Sequence, residues 1–149
     1  MLSCYLAGSF TPWRQFGDWR DFVAEQLKSV IKFYDPRIET KQGSIATFVY
    51  QDLAGVESCD CTFYFLTRAQ GDVGAASECA HANAKGKHVI LCIDRDLDFV
   101  HPFIIGMARR VLIGLDSGVS YLSLLSNYGM DNEYKAAYEM LHKPPKEKK

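Results

Sequence analysis

From Thr62 to Leu66 the chain reads Thr-Phe-Tyr-Phe-Leu, an almost wholly apolar run set between Cys59-Asp-Cys61 and Thr67-Arg68. A short run of this aromatic character is a strand buried on both faces, and such a strand needs helices above and below a parallel sheet. The flanking sequence supplies them. Leu2–Ala7 reads as a first strand ended by Gly8-Ser9, and Phe16–Val30 carries Phe16, Trp19, Phe22, Val23 and Leu27 at helical spacing. Ile31–Tyr34 is a short second strand, closed by Asp35-Pro36 because proline biases the residue before it toward extended backbone. Ser44–Val56 reads as a helix with Ile45, Phe48, Val49 and Leu53 on one side. Gly74–Lys85 is an alanine-rich helix stopped by Gly86, and His88–Ile93 is a fourth strand. Ile104–Arg110 reads as a short helix and Val111–Leu115 as a fifth strand, with helical signals again in Tyr121–Leu125 and Asn132–Leu141.

This rhythm predicts an α/β fold of three layers: a five-stranded parallel sheet, flavodoxin-like or Rossmann-like, with helices on both faces. Ligands in such sheets bind beyond the carboxyl ends of the strands, which directs attention to Gly8-Ser9-Phe10, Asp35-Pro36-Arg37, Thr67–Gly74 and Asp94–Asp98. The 149 residues, 48% hydrophobic and 23% charged, suit one domain over residues 1–142 and a basic, solvated tail over 143–149.

Several partners are disfavoured by composition. A net charge of −1 gives no electrostatic case for nucleic acid, and no run of about 18 apolar residues is present to span a membrane. Met1–Ala7 leads straight into Gly-Ser without a leader-like apolar stretch. Five cysteines, at 4, 59, 61, 79 and 92, are an odd count scattered through apolar segments, as expected for reduced, buried thiols in a cytoplasmic compartment. Cys59-Asp-Cys61 has no second Cys or His pair to complete a zinc site, so no metal is expected. Gly8 is the only glycine of the first turn, so no dinucleotide fingerprint follows it, and no cofactor is expected.

The most informative stretch is Gly71-Asp72-Val73-Gly74-Ala75-Ala76-Ser77-Glu78, running from the tip of the third strand into a helix. Asp72 lies at the mouth of the sheet and Glu78 about one turn into the helix. Gly74 and the alanines leave space for a flat ring to approach the backbone. Tyr5 lies in a strand that this topology makes central, and Asp52 lies late in the second helix. Each residue alone has an ordinary reading: surface carboxylates for Asp52, Asp72 and Glu78, and a core aromatic for Tyr5. Gly8-Ser9 suits a phosphate, but so does almost any Gly-Ser turn.

Taken in order, Tyr5-Leu-Ala-Gly-Ser-Phe10, Asp52-Leu-Ala-Gly55, Asp72-x5-Glu78 and Gly86-Lys87-His-Val-Ile90 resemble the nucleoside 2-deoxyribosyltransferases, over about residues 2–93. The resemblance implies cleavage of the N-glycosidic bond of a 2′-deoxynucleoside and transfer of the deoxyribosyl group to another base through a covalent adduct on Glu78. It implies that Asp72 and Asp52 hold the base and sugar hydroxyls, one of them protonating the leaving base, and that Tyr5 orients Glu78. Gly8, Ser9, Gly74, Asp35 and Gln42 become candidate substrate contacts. A helix N-terminus should keep Glu78 ionised. The partners implied are a nucleoside or nucleotide, a free nucleobase and further copies of the chain, with Phe103–Ile105 and Met107-Ala-Arg-Arg110 as an interface. Family members carry an Asn near this segment, whereas His101-Pro-Phe-Ile-Ile-Gly-Met107 has none.

Two other readings stand beside this one. A hydrolase of deoxynucleoside 5′-monophosphates would use Arg14, Arg20 or Arg37 for the phosphate, but a carboxylate at Asp72 would repel that group. A non-catalytic nucleotide-binding or sensing module on the same fold is the third. His81 stands three residues beyond Glu78 and reads as a surface histidine or a tuning group, and Trp13 as a packing residue or a stacking platform.

Overall fold

The structure is a computed structural model that describes residues 1–10, 17–41, 43–68 and 71–142. Its elements are β1 (Leu2–Gly8), α1 (Trp19–Leu27), β2 (Ile31–Tyr34), α2 (Pro36–Glu39), α3 (Ile45–Ser58), β3 (Cys61–Leu66), α4 (Val73–Ala84), β4 (His88–Ile93), α5 (Pro102–Met107), β5 (Arg110–Ile113), α6 (Leu115–Tyr128) and α7 (Glu133–His142), with one 3-10 turn at Met130–Asn132. The strands form one parallel sheet in the order β2-β1-β3-β4-β5. All six residues of β3 are buried, as its sequence requires.

Alternation along the strands splits the core. Cys4, Leu6, Phe63, Phe65, Ile90 and Cys92 face α1, α6 and α7, where Trp19, Val23, Leu122, Leu125 and Ala136 close the layer. Tyr5, Ala7, Tyr64, Leu66, Leu91 and Ile93 point the other way, to Val56, Cys79, Ala82, Ile104 and Met107 of α3, α4 and α5. The five cysteines are buried free thiols. Among the described residues no helix is long and apolar enough to cross a membrane.

Local capping explains the boundaries, including those the sequence pattern misplaces. Asp18, Ser44 and Asp72 cap α1, α3 and α4 through their side chains. Asp35 does the same for α2, an unexpected element: Asp35-Pro36 ends β2 and also starts a helix, with proline in its first turn. His101 and Pro102 start α5 earlier than the apolar spacing suggests, so the fifth strand begins at Arg110 rather than Val111. Leu115 is not the end of that strand but the first residue of the 14-residue α6, because Gly114, at φ 85°, turns the chain directly from sheet into helix. Phe16 and the tail over 143–149 lie outside the described residues.

One buried charge organises the carboxyl end of β1. Strand β1 pairs with β3 as far as Gly8, but with β2 only as far as Tyr5. Arg20, fully buried, takes up the carbonyls beyond that point: Nε donates to Leu6 O (3.2 Å), Nη2 to Gly8 O (2.7 Å) and Nη1 to Ser9 O (3.1 Å). Asp18 neutralises it at 3.2 Å, and Asp35 stands 4.0 Å away. Phe10 and Trp19 lie against the guanidinium at 4.9 and 4.5 Å. Removing such a group leaves carbonyls and a carboxylate buried without partners. Arg20→Met is therefore expected to cost about 3–5 kcal/mol of folding stability, measured by urea denaturation. Arg20→Lys should recover only part of that, since one ammonium cannot reach the same fan of carbonyls.

Candidate active site

The strand order reverses beside β1, and in such sheets the ligand crevice lies beyond the carboxyl ends of the strands at that point, here β1 and β3. Gly8 forms its floor with φ 149°, and a Cβ there would lie 2.9 Å from both Phe65 O and the Trp19 ring, so no side chain is tolerated. Ser9 follows, buried, and its hydroxyl reaches across to Asp72 Oδ2 at 3.3 Å.

Asp72 is held from three sides. Its Oδ1 accepts from Ala75 N (3.1 Å) as the cap of α4, its Oδ2 receives Ser9, and its own N–H donates to the Tyr64 hydroxyl (3.0 Å). Gly74 is exposed, and a Cβ on it would approach Asp72 Oδ1 to 3.3 Å, so its smallness leaves the carboxylate room. Glu78 projects from the second turn of α4 and is partly exposed.

Asp52 is 8% exposed on α3, not the solvated helix carboxylate that its ordinary reading implies. Thr40 Oγ1 donates to its Oδ1 at 2.6 Å, and burial raises its pKa. Tyr5 is fully buried in β1, its ring stacked on Tyr34 at 5.2 Å. No described group meets its hydroxyl with full hydrogen-bond geometry, although the Glu78 carboxyl is close enough to interact with it. Burial first, then the charges of Glu78 and Asp52, drive that phenol well above its ordinary range.

These groups converge on one another. Burial pushes the Glu78 carboxyl up to about 8, reinforced by the charge of Asp52 and more weakly by Asp72, while Tyr5 and Arg20 oppose the shift. The helix N-terminus expected to keep Glu78 ionised is therefore not the dominant influence on it; burial raises its pKa instead. The dipole acts mainly within the first turn, which Asp72 already caps, and Glu78 lies beyond it among other carboxyls.

The remaining candidates separate. Asp35 accepts from Arg37 N (3.0 Å) and from the Arg37 guanidinium, which also binds Asp21 (2.9 Å); both side chains are committed to this lattice at the edge of the crevice. His81 points away, to Glu57 at 2.8 Å, which favours its surface reading. Gln42, Trp13 and Arg14 lie outside the described residues. Sequence reasoning missed the part played by Thr40, and it read Arg20 only as a phosphate contact. The helical spacing over Phe16–Val30 placed Arg20 on a helix, but nothing local marks an arginine whose partners are carbonyls eleven to fourteen residues away.

The Glu78 shift has a consequence for stability. A carboxyl whose folded pKa lies above its unfolded value favours folding in its protonated form. That advantage is complete below the unfolded value of about 4.5 and is lost as pH rises through about 8. Glu78→Gln, which stays neutral, is therefore expected to be more stable than the unsubstituted protein at pH 8.5. The difference should be about 1 kcal/mol or more, even allowing for the partial exposure of the group, and should vanish near pH 4. Urea titrations across that range measure it; an unchanged difference from pH 4 to 8.5 would contradict the assignment.

Comparison with known proteins agrees with the fold. Residues 1–95 match the model of the family described as nucleoside 2-deoxyribosyltransferase like. No curated protein matches the chain in sequence. Among solved structures, a conserved protein from Enterococcus faecalis V583 superposes with a TM-score of 0.67 at 18% identity, covering 80% of this chain and 95% of that one. The 2-deoxyribosyltransferase of Bacillus psychrosaccharolyticus gives 0.62 at 20% identity, with 88% and 95% covered. A CMP N-glycosidase of Clostridium botulinum gives 0.58 at 14%, with 81% and 98% covered. The structural likenesses show the shared fold, and the match across nearly two thirds of the sequence shows more: this chain belongs to the nucleoside 2-deoxyribosyltransferase-like family.

Proposed function

We propose that the protein cleaves the N-glycosidic bond of 2′-deoxynucleosides and transfers the deoxyribosyl group to a second nucleobase, with Glu78 as nucleophile. The observation that carries this reading is the electrostatic convergence of Glu78, Asp52 and Tyr5 within one crevice, with Asp72 at its lip. Asp52 and Glu78 both have raised pKa values, Asp52 through burial and Glu78 through burial and the charge of Asp52, so one proton shared between them suits the chemistry. In the reacting arrangement Asp52 carries that proton and Glu78 is the anion, which Tyr5 and Arg20 favour.

A Glu78 oxygen then bonds to C1′ as the C1′–N bond breaks. The bonding pair leaves with the base, and a base nitrogen takes the Asp52 proton, without which a nucleobase anion is a poor leaving group. The carboxylate opposes the positive charge that develops on the sugar, as in retaining glycosidases. A nitrogen of a second base then bonds to C1′ as the C1′–O bond breaks and frees Glu78, and the proton this nitrogen loses returns to Asp52; water in its place makes the same steps a hydrolysis. Asp72 and Ser9 face the sugar hydroxyls, and Gly74 gives the base access to the start of α4.

Hydrolysis of 5′-monophosphates has less support. Arg20 is consumed by backbone carbonyls and Arg37 by Asp35 and Asp21, so neither offers a free guanidinium to a phosphate, and Asp72 would repel one. We also infer that copies of the chain associate. Val73, Phe103 and Ile105 are exposed beside the crevice, whereas Ile104 and Met107 of the expected interface are buried in the protein's own core.

The test is to incubate the protein with deoxyinosine, deoxyadenosine, thymidine or dCMP, with and without free adenine, and to follow base release by chromatography. Base exchange is expected with the unphosphorylated substrates and should fall at least about a thousandfold in Glu78→Ala. The rate should decline above about pH 8, where the shared proton is lost. Release without exchange would indicate a hydrolase, turnover of dCMP alone would overturn the role given to Asp72, and a folded protein idle on all four would reject the substrate class.

A further inference from the structure

Behind Asp52 lies a hydrogen-bonded chain that the transfer scheme has not used. Thr40 is 5% exposed at the end of α2, and its Oγ1 is 2.6 Å from Asp52 Oδ1 and 3.3 Å from the Tyr34 hydroxyl. The Tyr34 hydroxyl is in turn 3.4 Å from the Gln51 carbonyl. The chain is clamped at several points. The Tyr34 ring is stacked on Tyr5 and also packs against α3 at Gly55, where a Cβ would fall 2.6 Å from the ring. Lys41 N donates to Gln51 Oε1 at 2.7 Å and ties the following residue to the same helix.

This arrangement accommodates both protonation states of Asp52. When the carboxyl is ionised, Tyr34 donates to Thr40 and Thr40 to Oδ1. Should Oδ1 carry the proton, the hydroxyls can reverse, with Tyr34 donating to the Gln51 carbonyl. In either sense Oδ1 is engaged, and no described residue hydrogen-bonds Oδ2.

We propose that Thr40, backed by Tyr34, is a positioning residue that engages Asp52 through Oδ1 and so leaves Oδ2 as the oxygen that passes its proton to the leaving base. This rests on the reading of Asp52 as the proton donor. In that step the Oδ2–H bond breaks and a base N–H bond forms, while Thr40 donates to Oδ1 and stabilises the carboxylate left behind. Other groups act on Asp52 as well: Arg20 of α1 favours its anion, and Glu78 of α4 and Tyr5 of β1 interact with its charge. None of these supplies the directional contact that Thr40 makes.

The experiment compares Thr40→Val, Thr40→Ser and Tyr34→Phe on two kinds of substrate. Deoxyadenosine needs its leaving base protonated, whereas 4-nitrophenyl 2-deoxyriboside releases a stable phenolate without a proton. Thr40→Val is expected to lower kcat on deoxyadenosine about tenfold or more at nearly constant KM, yet to change the aryl substrate less than about twofold. Thr40→Ser should restore most of the rate, and Tyr34→Phe should show a smaller loss of the same selective kind. Equal losses on both substrates would mean a merely structural role and overturn the proposal. A second readout needs no turnover: carbon-13 NMR of the Asp52 carboxyl in the substrate-free protein. Its midpoint should rise in Thr40→Val and return in Thr40→Ser; an unmoved midpoint overturns the proposal even if the protein is idle. An idle unsubstituted protein with a shifted midpoint would instead reject the transfer reading while keeping the Thr40 contact.

Discussion

The buried guanidinium of Arg20 is the constraint on which the crevice depends. A parallel sheet in the order β2-β1-β3-β4-β5 opens a gap where β2 stops short of β1, and the carbonyls beyond that point would be buried without donors. Arg20 resolves this with one side chain, binding Leu6, Gly8 and Ser9 together and anchoring α1 through Asp18. The same positive charge lies close enough to favour ionisation of both Glu78 and Asp52. Backbone satisfaction and site electrostatics therefore share a single source.

Around that charge the protein assembles acidic groups that would be more comfortable in water. Glu78 and Asp52 are both desolvated and they repel each other, so the crevice is destabilising in its fully ionised state. The offset is distributed through the surrounding shell. Thr40 and Tyr34 support Asp52, Tyr5 favours the anion of Glu78, and Ser9, Tyr64 and the start of α4 engage Asp72. A strained site is tolerable because the two apolar layers flanking β3 supply cohesion elsewhere.

Much of this was legible in the sequence, for identifiable reasons. The run Thr62–Leu66 demanded a doubly covered strand, and alternation with helical spacing gave the topology; both depend on local periodicity. Asp72 could be placed at the crevice because a strand tip leading into an alanine-rich helix has only one geometry. Elements set by single residues were harder: Asp35-Pro36 both ends β2 and caps α2, and Gly114 turns β5 into α6 without a loop. The environment of Glu78 was misjudged because helix position is a local property, whereas burial in the fold and the charge of Asp52, 26 positions earlier in the chain, are not. Thr40 and the structural part of Arg20 escaped for the same reason, their partners being fixed only by tertiary packing.

The double service of Asp72 bears on how such a site can diversify. Its Oδ1 caps α4, a task that a serine performs about as well, so the folded chain is nearly indifferent to the charge carried there. Charge at the lip of the crevice is thus uncoupled from the integrity of the helix beneath it. Selection acting on what the pocket admits can exchange an anionic lip for a neutral one in a single step, without first acquiring a stabilising change elsewhere in the protein.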